Sequence, residues 1–252
     1  MPKRSRNSSS ASPPPSASPP PSARYSGWFL LVVVLFVTCL IVSNIVATKL
    51  VSLQGQVVTA AIVIFPISYI CGDVLTEVYG YRQARLAIWL GFLCNLIAVL
   101  AIWLGQQLPP APFWDGQAAY ERILGNTPRL LLASFLAYLV GEFVNSFVLA
   151  KLKVATQGRW LWMRTIGSTI VGQGLDSLIF VTVAFVGTIA ASQIVSAIVT
   201  QWLIKTAYEA IATPLTYIVV NFLKQTEHID VYDYDTSFNP LAWSETTEQK
   251  LD

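Results

Sequence analysis

Four ionisable side chains, Glu142, Asp176, Lys205 and Glu209, fall inside long apolar runs of this chain. An ionised side chain at the centre of a membrane helix costs about 2.5–3.5 kcal/mol on insertion scales, so such groups face a partner or an aqueous cavity. Their spacing ties them to other polar residues. Ser134, Tyr138, Glu142 and Asn145 follow helical steps and share one face, as do Ser168, Thr169, Gly172, Gln173 and Asp176. Gln201, Lys205, Tyr208 and Glu209 form a third stripe, in which Lys205 and Glu209 stand at i,i+4 and can pair. Asn44 and Thr48 add a smaller stripe, and Asn95 is a lone amide. The common place for such faces is the interior of a helix bundle. Lys205 can neutralise only one of the three carboxylates, so the interior is net acidic when all are ionised. That suits a cation, a proton or a ligand presenting N–H donors.

A second polar group lies between Phe65 and Arg85, where an apolar run containing Pro66 gives way to Gly72, Asp73, Glu77, Arg82 and Arg85. Asp73 and Glu77 are one helical turn apart. Two readings are open. The acids and arginines form a surface ion-pair cluster, worth little energetically. Alternatively, Pro66 and Gly72 break the helix, and backbone and acid line a cavity at membrane depth.

Other chemistry is disfavoured. The single histidine, His228, lies in a polar tail, which leaves no His relay or Ser–His nucleophile in the apolar region. Cys39, Cys71 and Cys94 sit in apolar runs without metal-ligand spacing and read as packing residues. No phosphate-binding GxxxxGK[ST] loop is present, so ATP hydrolysis by that route is not expected. A net charge of +2 without a basic, aromatic-interleaved cluster gives no reason to expect nucleic acid. The chain reads as a non-enzyme with no cofactor or metal.

The elements that must position these residues are membrane helices. With 54% hydrophobic and 12% charged residues the chain is far from a soluble composition, in which about a quarter of residues are charged. Six spans are predicted, at Trp28–Val46, Val57–Cys71, Leu86–Leu104, Leu130–Ala150, Ile166–Ala190 and Ile194–Leu223. The second is short, a proline-bearing loop separates the third from the fourth, and Pro214 interrupts the sixth. Lys and Arg concentrate on one side of such a bundle: the N-terminal segment, Arg82, Arg85, Lys151, Lys153, Arg159, Arg164 and Lys224. The expected fold is therefore all-α, a polytopic integral membrane protein with six transmembrane helices, a central polar cavity and both termini cytoplasmic. Residues 1–24, rich in Ser and Pro, are expected to be disordered; 25–224 are expected to form the six-helix membrane domain, and 225–252 a polar acidic tail.

Several motifs carry a resemblance. They are Phe65-Pro66 through Gly72-Asp73, Thr76-Glu77-x-Tyr79-Gly80, Arg85, Ala133-Ser134-Phe135-x-Ala137-Tyr138-x-x-Gly141-Glu142-x-x-Asn145, Leu152-Lys153, and Arg164-x-x-x-Ser168-Thr169-x-x-Gly172-Gln173-x-x-Asp176-Ser177. Together with Lys205 and Pro214 the pattern resembles the queuosine precursor transporter family. The resemblance implies a six-helix carrier of the cell inner or plasma membrane, similar in architecture to the substrate-binding subunits of energy-coupling-factor vitamin transporters. It implies import of 7-cyano- or 7-aminomethyl-7-deazaguanine, or queuine, for tRNA modification. Transport would be stand-alone or proton-coupled, or would borrow an ATPase energising module. A carrier for another nucleobase or vitamin is the alternative.

A guanine-like edge presents N1–H beside an exocyclic amine, which one carboxylate accepts in a two-pronged contact. Glu142 with Asn145 and Asp176 with Gln173 are the first candidates for that role, with Lys205, Glu209, Tyr138 and Asn44 completing the candidate site. Asp73, Glu77 and Arg85 are candidates for a gate or secondary site.

Overall fold

The computed structural model describes residues 25–53, 56–125, 128–188 and 190–241. The disorder expected of residues 1–24 lies outside that range, as does the end of the tail, 242–252. Helix α1 (Gly27–Val46) is followed by an antiparallel ribbon of β1 (Leu50–Leu53) and β2 (Gln56–Thr59) and by a 3-10 turn at Ala60–Val63. Then come α2 (Phe65–Tyr79), α3 (Tyr81–Gln107), α4 (Gln117–Leu124), α5 (Pro128–Ala155), α6 (Leu161–Phe185) and α7 (Ala191–Glu227). The all-α class holds, with one small ribbon added.

The second span shows the largest departure from expectation. Val57–Thr59 pair as a strand, and the helix runs from Phe65 to Tyr79 instead of from Val57 to Cys71. A short apolar run of β-branched residues fits strand or helix equally by pattern, and strand pairing wins here. Pro66 starts α2 instead of breaking it, because its missing N–H falls in the first turn, where it has no partner to lose. Gly72 lies within the same helix. Pro214 likewise sits inside α7 without ending it.

Among the described residues four stretches are long and apolar enough to cross a membrane: Gly27–Val46, Tyr81–Gln107, Gln117–Ala155 and Leu161–Phe185. Helix α2 is more polar, but it is buried from Ile70 to Tyr79, so protein covers its polar residues. Contacts fix the sense of each helix. The end of α2 meets the start of α1 (Tyr79 with Phe29), the end of α5 (Glu77 with Lys153), the start of α6 (Glu77 with Arg164) and the end of α7 (Tyr79 with Glu227). Helices α1, α2, α3, α5, α6 and α7 therefore alternate in direction, and the Lys/Arg-rich ends gather on one face.

Helices α5 and α6 cross at two glycines. A Cβ on Gly172 would stand 2.9 Å from the Gly141 carbonyl oxygen, and one on Gly141 would stand 2.9 Å from the Asp176 Cβ. Small residues let membrane helices approach to backbone contact. A Gly172→Leu substitution should separate the helices and cost about 1–3 kcal/mol or more by overpacking. Thermal unfolding in detergent should record that loss; unchanged stability would mean that the crossing is not a tight contact.

The tail is not a free appendage. His228 takes a left-handed conformation (φ 56°) that ends α7, and residues 229–241 return beneath the bundle. Gly80 (φ 82°) joins α2 directly to α3 and has no side chain to cap α3. Asp233 supplies that cap: its carboxylate accepts from the Tyr81 backbone N–H at 3.1 and 3.2 Å. Phe238 packs against Tyr81 and Phe147, with ring centroids 4.9 and 5.1 Å away. Arg85 donates to the carbonyls of Ser237 (3.3 Å) and Asn239 (2.8 Å). Asp233→Ala should cost about 1 kcal/mol, the usual loss on removing a helix N-terminal cap.

Asp230 adds a charge-based hold. Burial pushes its carboxyl up, but hydrogen bonds from Lys153 and Lys224 outweigh this and hold it below the usual Asp value. A depressed folded-state value means the stabilisation is complete above the unfolded pKa of about 4 and is lost as pH falls through the lower folded value. Hydrogen exchange across 229–240 should stay slow down to about pH 4 and rise in stronger acid. Fast exchange at neutral pH would show that the tail is not docked.

Candidate functional site

A cavity of about 200 Å³ lies among α1, α2, α3, α5, α6 and α7, in the half of the bundle away from the Lys/Arg-rich face. Each helix contributes from the turn that reaches this level. Tyr69 stacks on Phe65 in the first turns of α2, with ring centroids 5.8 Å apart and planes at 6°. Its hydroxyl donates to Gln173 Oε1 on α6 at 3.3 Å, which leaves the Gln173 amide N–H groups to other partners. Asn44 on α1 donates to Asn95 Oδ1 on α3 at 2.8 Å, so these amides brace one wall. Tyr138 on α5 donates to the Ile88 carbonyl at 3.0 Å, over Gly91, where a Cβ would lie 2.6 Å from that hydroxyl.

The two acids here are in different states of engagement. Asp176 forms an ion pair with Lys205. The expected Lys205–Glu209 pair is therefore corrected: the ammonium reaches across to α6 instead of along its own helix. Glu142 also lines the cavity, and among the described residues no hydrogen bond reaches its carboxylate. Once internal pairs are subtracted, the cavity offers one open carboxylate, amide N–H donors, part of an ammonium and aromatic faces. Such a set has the chemistry to hold a small flat polar molecule.

Asp73, Asn145 and Glu209 do not line the cavity. They sit one helical turn further towards the Lys/Arg-rich face, below Tyr69, Glu142 and Lys205 respectively, a drop of about 5 Å. All three are buried, at 1%, 7% and 0% exposure. Asn145 donates to Asp73 Oδ1 at 3.1 Å.

Glu77 lies a further turn down and is fully buried. Arg164 grips its carboxylate with two bonds of 2.8 and 2.7 Å, and Lys224 adds a third at 2.7 Å. The Lys153 ammonium lies 3.8 Å from Glu77 Oε1 and donates to the Glu77 backbone carbonyl. The surface-cluster reading is thus corrected for Asp73 and Glu77, and so is the helix-break reading. Burial of α2 between α1, α5 and α7 encloses both acids inside an unbroken helix. Arg85 belongs to the tail's docking site. In the sequence Arg164, Lys153 and Lys224 stand out as orientation signals, and Arg164 and Lys153 also as motif residues, but not as partners of Glu77. Their convergence on Glu77 depends on the antiparallel order of α5, α6 and α7.

A family model described as "Putative vitamin uptake transporter" matches residues 59–219. A "Probable queuosine precursor transporter" of Bacillus subtilis (strain 168) is 33% identical over 187 residues, covering 73% of this chain and 81% of the relative. A "Queuosine precursor transporter" of Escherichia coli (strain K12) is 28% identical over 143 residues, covering 57% of this chain and 62% of the relative. No solved structure matches. The family match takes in α2 to most of α7 and so includes Glu142, Asp176, Lys205, the Asp73 level and the Glu77–Arg164 pair. This chain belongs to the vitamin uptake transporter family and is a membrane transporter.

Proposed function

We propose that this chain imports a 7-deazaguanine precursor of queuosine across the cell inner or plasma membrane, for use in tRNA modification. The observation that carries the reading is the unengaged Glu142 carboxylate in a small cavity with aromatic walls. The carboxylate accepts the N1–H and exocyclic amine of the base, and Gln173 donates to its carbonyl oxygen. Tyr69, Phe65 and Phe180 offer ring faces. The Asp176–Lys205 pair borders the ligand and fixes one wall. At about 200 Å³ the cavity is below the ~300–1,000 Å³ of drug-sized pockets, which favours a single fused-ring base over a nucleotide. Both relatives are named as transporters of queuosine precursors, which supports the substrate class.

Six crossings, by α1, α2, α3, α5, α6 and α7, would leave both ends of residues 25–224 on one side, and the Lys/Arg-rich face supports the cytoplasm as that side. Helix α4, with 8 residues, reaches only about 12 Å and does not cross. The cavity then opens towards the outside, and the Glu77 cluster bars the way in. The chain works alone or beside a separate ATPase.

The test is binding of labelled 7-cyano-7-deazaguanine to purified protein. Competition by the 7-aminomethyl form, and little by guanine or unrelated vitamins, is expected. Indifference to both deazaguanines would move the substrate to another nucleobase or vitamin.

A further inference from the structure

The level between cavity and cytoplasmic plug lies outside the cavity lining, yet among the described residues it gathers several unsatisfied buried polar atoms. Both carboxylate oxygens of Glu209, Asp73 Oδ2 and Asn145 Oδ1 are buried without a hydrogen-bond partner. All four are acceptors. Asp73 on α2 and Glu209 on α7 stand at one level of two helices that pack together, both fully buried, and among the described residues no ion pair reaches either carboxyl. Two carboxyls can bond to each other only if one carries a proton, since an ionised carboxylate has no donor.

Among the described residues the surroundings supply no other neutralising group. On α7, Lys205 is turned up to Asp176. On α6, Arg164 is engaged by Glu77, one turn below on α2. On α5, Glu142 and the neutral Asn145 face the pair; α2 adds Tyr69 above, and α1 contains no ionisable side chain except Cys39. On α3, Arg85 is held by the tail carbonyls. Two unneutralised charges here would be costly in a membrane interior, and one shared proton removes half of the charge and satisfies an orphaned oxygen.

We propose that Asp73 and Glu209 together bind one proton, and that its entry from the cavity side and release to the cytoplasm couple ligand import to the proton gradient. The proton leaves outer water to form an O–H bond on one carboxyl. That bond breaks to cytoplasmic water when the Glu77–Arg164 plug parts, and no other bond changes. Position supports the coupling. Asp73 lies one turn from Tyr69 on the cavity side and one turn from Glu77 on the plug side, so a shift of α2 moves all three levels. The coupling part of the proposal rests on the transport reading above; the proton site itself does not.

Two measurements separate them. Infrared spectra of the purified protein at pH 7 should show the C=O stretch of a protonated carboxyl that shifts in D₂O and disappears in the Asp73→Asn/Glu209→Gln double variant. This needs no ligand, and absence of the band in the unsubstituted protein overturns the site. In liposomes held at zero voltage, one pH unit of external acidity should accumulate labelled 7-cyano-7-deazaguanine about tenfold at one proton per substrate. Either single variant should lose accumulation while still exchanging internal for external label. Accumulation that ignores pH, follows a Na⁺ gradient at equal pH, or survives in both variants overturns the coupling. Failure of the unsubstituted protein to bind or exchange the base, with the infrared band present, overturns the substrate reading and the coupling but leaves the proton site.

Discussion

Glu142→Gln should weaken binding of the 7-deazaguanine base by about 2–3 kcal/mol, or about 30- to 150-fold in Kd, while leaving thermal stability nearly unchanged. The two halves of that result have one cause. The Glu142 carboxylate has no hydrogen-bond partner among the described residues, so neutralising it removes no internal bond and relieves some repulsion from Asp176. The ligand, however, loses a charged acceptor for two adjacent N–H groups and meets an amide NH₂ in its place. Glu142→Asp should be intermediate, because it keeps the charge and shortens the reach. Isothermal titration or scintillation proximity binding, paired with thermal unfolding of the same preparations, reads both halves. A large fall in stability with unaltered affinity would make Glu142 a structural residue and leave the cavity without its recognition group.

Glu77→Gln should be among the most destabilising single substitutions in the chain, at about 3–5 kcal/mol. It strands Arg164, which is 2% exposed, and leaves the buried Lys153 to share Asp230 with Lys224. Removing one partner from a buried ionic cluster leaves the others uncompensated, which costs more than the cluster contributes when complete. Against a typical total of about 5–15 kcal/mol, a loss of that size should appear as poor yield and early unfolding in detergent. Arg164→Met should cost less, because Lys224 still meets the Glu77 carboxylate at 2.7 Å. The double variant should cost less than the sum of the two, and the shortfall measures the coupling between them. Additive effects, or a Glu77→Gln protein as stable as the unsubstituted one, would rule out the cluster as the plug of the cytoplasmic end.

How much of this was legible beforehand differs from residue to residue. Apolar runs with ionisable groups at helical spacing identified Ser134, Tyr138 and Glu142 as one face, and the cavity receives all three. The same stripe also contained Asn145, which faces Asp73 a turn below. Periodicity assigns a side, but it does not say at which depth one neighbour replaces another. Lys205 makes the point more sharply. Its i,i+4 neighbour Glu209 was the partner nearest in sequence, yet α6 brings Asp176 closer. The Gly141–Gly172 contact allows that approach, and single glycines in two apolar runs do not announce that they meet. The tail reads as polar and acidic, and nothing local marks Asp233 as the cap of a helix 152 residues earlier.

The sequence by itself determined the membrane class, the helical architecture, the acidic interior and the family, because hydropathy, charge bias and spaced motifs are local properties that each segment carries alone. Only the tertiary structure decided which carboxylate is free, which is paired with lysine, which shares its level with another acid and which is locked by arginine. Glu142, Asp176, Glu209 and Glu77 are chemically alike as residues. Their differences come from distance to cations on other helices, and those distances are set by how closely α2, α5, α6 and α7 pack.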